Sequence, residues 1–164
     1  MEKVNHIKDI NHPIIRTILS KNSLLKKNKW HFGTLADVPA GTGLGSSSAF
    51  TVSFLQLINK ISKKKKSKIN IAKQAIMIER NILKENVGLQ DTFHSSIGGL
   101  NIFKFYKNKT VIQKLKISKN KINLLNKSMV MCYVGNPRKS SNISKLHIKK
   151  IKNRKNENYL NEMY

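Results

Sequence analysis

Apolar positions along the chain fall into short runs separated by polar and lysine-rich stretches. After His12-Pro13, the residues Ile14, Ile15, Ile18 and Leu19 recur at helical spacing. Proline at the first turn costs no hydrogen bond there, so a short helix is expected. Residues 30–35 (WHFGTL) read as a strand leading into a glycine-rich turn. Residues 46–61 are the most apolar segment, with Ala49, Phe50, Val52, Phe54, Leu55, Leu57, Ile58 and Ile61 on nearly every side. That pattern predicts a buried helix. The lysine run 63–66 follows it and suits the negative end of the helix dipole.

Asn70 is the expected cap of a second helix over about 71–84, broken at Val87-Gly88. Beyond Gly98-Gly99, residues 100–106 and 110–116 read as two strands across Lys107-Asn108-Lys109, and 129–134 as a third. Residues 140–155 predict a lysine-rich helix with Ile143, Leu146, Ile148 and Ile151 on it. No repeat or linker divides the chain, so the expectation is one α+β unit over 1–155 and a frayed tail at 156–164.

The 164 residues suffice for one domain, and 39% apolar content suffices for a core. No apolar run reaches the ~18 residues of a membrane span, and the start lacks the apolar stretch of a secretory signal. Cys132 is the single cysteine, which excludes an internal disulfide or a multi-cysteine zinc site. A cytoplasmic protein is therefore expected. The net charge of +24 raises the possibility of nucleic-acid binding. However, 28 of the 32 cations are Lys and only 4 are Arg, whereas base readout and phosphate forks favour Arg. Lys, Asn and Ile make up 67 of the 164 residues, a bias that reads as solvated surface decoration.

The chemistry-bearing segment is Pro39-Ala40-Gly41-Thr42-Gly43-Leu44-Gly45-Ser46-Ser47-Ser48. Alternate glycines let the backbone approach a ligand, and the serines open a helix whose positive end attracts anions. This is a phosphate cradle, although no Gly-Lys-Ser/Thr follows as in a Walker loop. The alternative is a tight turn with a serine cap. Glu79 falls within the apolar arc of its helix, where an unpaired carboxylate costs several kcal/mol. It calls for a cation, either Mg²⁺ shared with a nucleotide phosphate or a neighbouring lysine. Between residues 38 and 156 the only acids are Glu79, Glu85 and Asp91. Asp91, within Gly88-Leu89-Gln90-Asp91, is a candidate general base or else a helix cap. His94 nearby is either catalytic or structural.

The glycine-serine loop, the Ile-Glu-Arg helix and GLQD…GGLN together resemble the GHMP small-molecule kinases, and within them the bacterial D-glycero-D-manno-heptose 7-phosphate kinases. His12-Pro13-Ile14, DVPAGTGLGSSSAFTV, GLQDTFHSSIGGLN and YVGNPRKSS carry the likeness in family order from about residue 11 to 150. The resemblance implies a GHMP kinase N-terminal domain, similar to the ribosomal protein S5 domain 2-like fold. By the same resemblance, residues 39–48 wrap the ATP phosphates, Ser46 and Glu79 hold Mg²⁺, and Asp91 deprotonates the anomeric hydroxyl of a sugar phosphate. Fucose, galactose and mevalonate are other substrates within the superfamily, and an S5-like nucleic-acid module is the rival from another class.

Full-length relatives also carry an early motif rich in proline, arginine and glycine, and a late second glycine loop. Neither is present, so the resemblance implies an incomplete domain, a weakly active or inactive piece, and exposed sheet edges prone to self-association.

Overall fold

The computed structural model describes residues 2–22, 25, 29–38 and 41–132. A 3-10 turn at Ile7–Asp9 precedes helix α1, Pro13–Ser20. Then come α2 (Ser46–Ile61), α3 (Lys68–Ile76) continuing into a π-helical turn (Met77–Ile82), and α4 (Gln90–Ile97). Strands β1 (Asn101–Phe105) and β2 (Thr110–Lys114) form an antiparallel hairpin that pairs Phe103 with Ile112, and α5 (Lys119–Ser128) follows. Helices with one small sheet match the α+β expectation. The helix expected over 140–155, the tail 156–164, and Pro39 and Ala40 of the loop lie outside the described residues.

The core lies among the first helices. Ile14, Ile18 and Leu19 of α1 meet Val52, Phe54, Leu55 and Ile58 of α2, with Ile71, Ala75 and Ile78 closing the cluster. α4 packs on both α2 and α3. Its end is tied to the start of α3 by Ser96 Oγ donating to the Lys68 carbonyl at 2.6 Å, and by Lys68 Nζ donating to the Ile97 carbonyl at 2.8 Å.

Several expectations need correction. α2 is not buried all round: Ser53, Gln56 and Lys60 face solvent, and Leu57 is 44% exposed. The cap of α3 is Ser67, whose hydroxyl accepts from the Asn70 N–H at 3.2 Å, so the helix begins three residues earlier than the Asn70 cap implied. Residues 30–35 form no strand. No neighbouring strand offers them a ladder among the described residues, and ring contacts hold them instead: Phe32 lies edge-on to Phe54 at 5.3 Å and beside Trp30 at 6.2 Å. Residues 129–132 form no strand either, although Met129 has extended backbone, because the hairpin does not pair with them. Residues 133–134 of that expected strand fall outside the described residues.

The lysine run has a local role in ending α2. Lys63 adopts φ 54°, while the Lys63 and Lys64 N–H groups donate to the Lys60 and Asn59 carbonyls at 3.1 and 2.8 Å. This is a Schellman stop made with lysine where glycine is the usual residue. Lys60 and Lys63–Lys66 are all exposed, at the carbonyl end of the helix.

Candidate active site

Gly41, Gly43 and Gly45 all have left-handed backbone, with φ of 81°, 79° and 71°. Such values cost a residue with a Cβ about 1–2 kcal/mol each, which accounts for the alternate glycines. Gly45 is the N-cap of α2 and provides no side-chain cap. The serine-cap alternative therefore fails: Ser46, Ser47 and Ser48 lie inside the first turn. That turn's N–H groups, which have no intrahelical acceptor, point out of the helix at its positive end.

Ser48 turns inward, 3% exposed, and its hydroxyl reaches Glu79 Oε2 at 3.3 Å. Thr51, one turn on, donates to Glu79 Oε1 at 2.7 Å. Thr92 of α4 lies 3.3 Å from both Glu79 Oε2 and Ser48 Oγ. Glu79 itself is 1% exposed, in the π-helical turn. The widened turn keeps Glu79 on the buried face and leaves Ile82, three residues on, 37% exposed. Three hydroxyls thus hold the buried carboxylate, and among the described residues no lysine or arginine contributes to its electrostatics.

Burial raises the Glu79 carboxyl above its ordinary value, the three hydroxyls oppose the rise, and the nearby negative charge of Asp91 adds to it. Carboxylate and hydroxyl oxygens are the kind of hard donor that Mg²⁺ accepts, and among the described residues no group of three or more His, Cys, Asp or Glu side chains gathers around a metal position. Thr51 and Thr92 were missed in the sequence. Thr51 stands three residues after Ser48 and Thr92 directly follows Asp91, but neither spacing by itself signals a hydroxyl aimed at a carboxylate.

Asp91 is the second residue of α4, whose N-cap is Leu89 without a side-chain cap, so Asp91 is not the cap. Its carboxyl is exposed and faces the glycine loop. A Cβ added at Gly45 would lie 3.2 Å from both Cβ and Cγ of Asp91. Leu44, Gly45, Gln90, Asp91, His94 and Ser95 line a cleft of about 290 Å³ there. Arg80, next to Glu79, donates through Nε to the Val87 carbonyl at 2.7 Å and so ties down the segment leading into α4. At the other end, Gly98 and Gly99 (φ 70° and 77°) turn the chain into β1, with Asn101 Nδ2 donating to both their carbonyls. GGLN is thus a turn that brings the hairpin back against α4. A larger hollow of about 480 Å³, between the hairpin and α5, has mostly apolar walls such as Leu100, Ile122 and Leu125 and lies away from this chemistry.

Of the residues singled out in the sequence, Gly41–Ser48, Glu79 and Asp91 are thus brought to one end of α2. Ser46 is half-buried in the first turn and makes none of the hydrogen bonds to Glu79.

Among the described residues, no helix is long and apolar enough to cross a membrane. No solved structure matches the chain significantly. The chain is 39% identical over 79 residues to a D-glycero-alpha-D-manno-heptose 7-phosphate kinase of Campylobacter jejuni subsp. jejuni serotype O:2. That match covers 48% of this chain and 23% of the relative, so the chain spans less than a quarter of the relative's length in the match. The model of the GHMP kinases N terminal domain matches residues 13–99, just over half of the chain and all of the site described above. With its glycine-serine turn, buried glutamate and facing aspartate arranged on those residues, the chain belongs to the GHMP kinase N-terminal domain family.

Proposed function

We propose that this chain carries the ATP-phosphate and catalytic part of a sugar kinase that phosphorylates D-glycero-D-manno-heptose 7-phosphate at its anomeric hydroxyl. One observation carries the reading: Asp91 stands against Gly45, the last residue of the glycine loop, so a proton acceptor and an anion cradle share one cleft. Family membership and the partial likeness to a heptose 7-phosphate kinase support the same class.

In this mechanism, residues 39–48 hold the ATP phosphates with loop and helix N–H groups. Ser46 and Glu79 would hold Mg²⁺, which when bound neutralises phosphate charge. Asp91 accepts the proton of the anomeric hydroxyl. The freed oxygen bonds to the γ-phosphorus as the bond to the β-phosphate oxygen breaks, and ADP leaves. The Ser48–Thr51–Thr92 hydroxyls fix Glu79 and join α4 to α2, which keeps Asp91 registered on the loop.

Titration of the chain with Mg·ATP, together with sugar-dependent ADP release, tests the reading. Ser46→Ala should weaken nucleotide binding about tenfold, whereas Asp91→Asn should leave it in place and lower ADP release by a hundredfold or more. Undiminished release from Asp91→Asn would remove it as the base, and wild-type chain that binds no nucleotide would sink the reading.

A further inference from the structure

We infer that His94 is the residue that reads the sugar, its imidazole donating a hydrogen bond to the hydroxyl adjacent to the one Asp91 deprotonates. The inference rests on the kinase reading above and adds a specificity residue to it. His94 lies three positions after Asp91 on α4, so the two side chains are neighbours on one helix face, with Cβ atoms about 5–6 Å apart. Both line the same cleft. Adjacent hydroxyls of a pyranose ring stand close enough to be met by two side chains so placed.

The imidazole is held in position. Its ring centroid lies 4.5 Å from that of Phe103, which stacks nearly parallel on Phe105 at 6.0 Å. Both phenylalanines also meet the buried Phe93, at 6.2 and 5.6 Å. The hairpin thus serves as an aromatic wall fixing one face of His94. The residue is exposed, and among the described residues neither of its ring nitrogens has a hydrogen-bond partner. A donor that is seated against an aromatic ring, accessible and unused, about one turn from the proton acceptor, suits recognition of a polyhydroxylated substrate. Leu44, which lines the same cleft, is 57% exposed and offers an apolar surface to the C–H face of a sugar ring.

The test compares binding of D-glycero-D-manno-heptose 7-phosphate with its 2-deoxy analogue, by calorimetry on the 164-residue chain. Wild type should bind the parent sugar about 3–10-fold more tightly, the range of one neutral hydrogen bond. His94→Phe keeps a ring against Phe103 but has no donor, and it should abolish that gap by weakening the parent sugar alone. His94→Asn, which retains an N–H, should restore part of it. Persistence of the gap in His94→Phe would overturn the inference, as would failure of wild type to bind either sugar. Mg·ATP titration of the same samples separates the two readings: nucleotide binding with a gap indifferent to His94 removes this role and leaves the kinase reading standing.

Discussion

The helical half and the hairpin–α5 half treat their apolar residues in opposite ways. In the first, Leu55, Val52 and Ile78 are 1–2% exposed and Thr51, Glu79 and Thr92 are sealed in beside them. In the second, α5 has no buried residue, and Leu124, Met131 and Val130 are 66%, 74% and 86% exposed. The difference locates the site. A carboxylate can be held by hydroxyls alone only where packing excludes water and fixes each rotamer, and among the described residues that condition exists in the helical half. The hairpin contributes through one face, on which Phe103 and Phe105 brace α4. Its opposite face, with Ile102 and Val111 each 41% exposed, supports nothing among the described residues.

The sharpest way to break this comparison is by truncation in each half. Ile78→Ala should cost about 2–5 kcal/mol in urea unfolding, since it leaves a cavity beside Glu79. Leu124→Ala should stay within about 0.5 kcal/mol. Equal losses would mean that α5 packs as firmly as the core.

Next comes the seam between loop and α4. Gly45→Ala should destabilise by about 2 kcal/mol, from left-handed backbone and from crowding Asp91, and should weaken nucleotide binding. Gly43→Ala meets no atom within 4 Å and should show only the backbone cost, about 1 kcal/mol. Matching losses of nucleotide affinity in the two variants would argue that the Gly45–Asp91 contact has no role.

The smallest effect concerns pH. Glu79 has its folded pKa raised above 4.5, so over the interval between 4.5 and that higher value the folded chain keeps a proton that the unfolded chain has released. Stability should therefore fall as pH rises through that interval. Glu79→Gln should lack this slope while losing Mg·ATP binding. Thermal melts from pH 4 to 8 would measure it, and identical profiles would show that the hydroxyls fully offset burial.

Much of this was legible along the chain. The helix over 46–61, the hairpin around Lys107-Asn108-Lys109, and the oddity of Glu79 and Asp91 all follow from spacing and from the scarcity of acids. The expected strand at 30–35 was misleading because β propensity needs a partner, and ring packing on Phe54 supplied the competing contact. The Asn70 cap yielded to Ser67, since either side chain can cap and only the path of the incoming chain chooses between them.

The sequence by itself determined where glycine was needed, which helix was most apolar and which carboxylates required a reason, because those follow from local sterics and periodicity. Only the tertiary structure decided what answers Glu79. Its partners stand 31, 28 and 13 residues away in the chain, and a π-helical turn sets its direction. Contacts between residues so far apart depend on how helices cross, and helix crossing is a property of packing that no local pattern encodes.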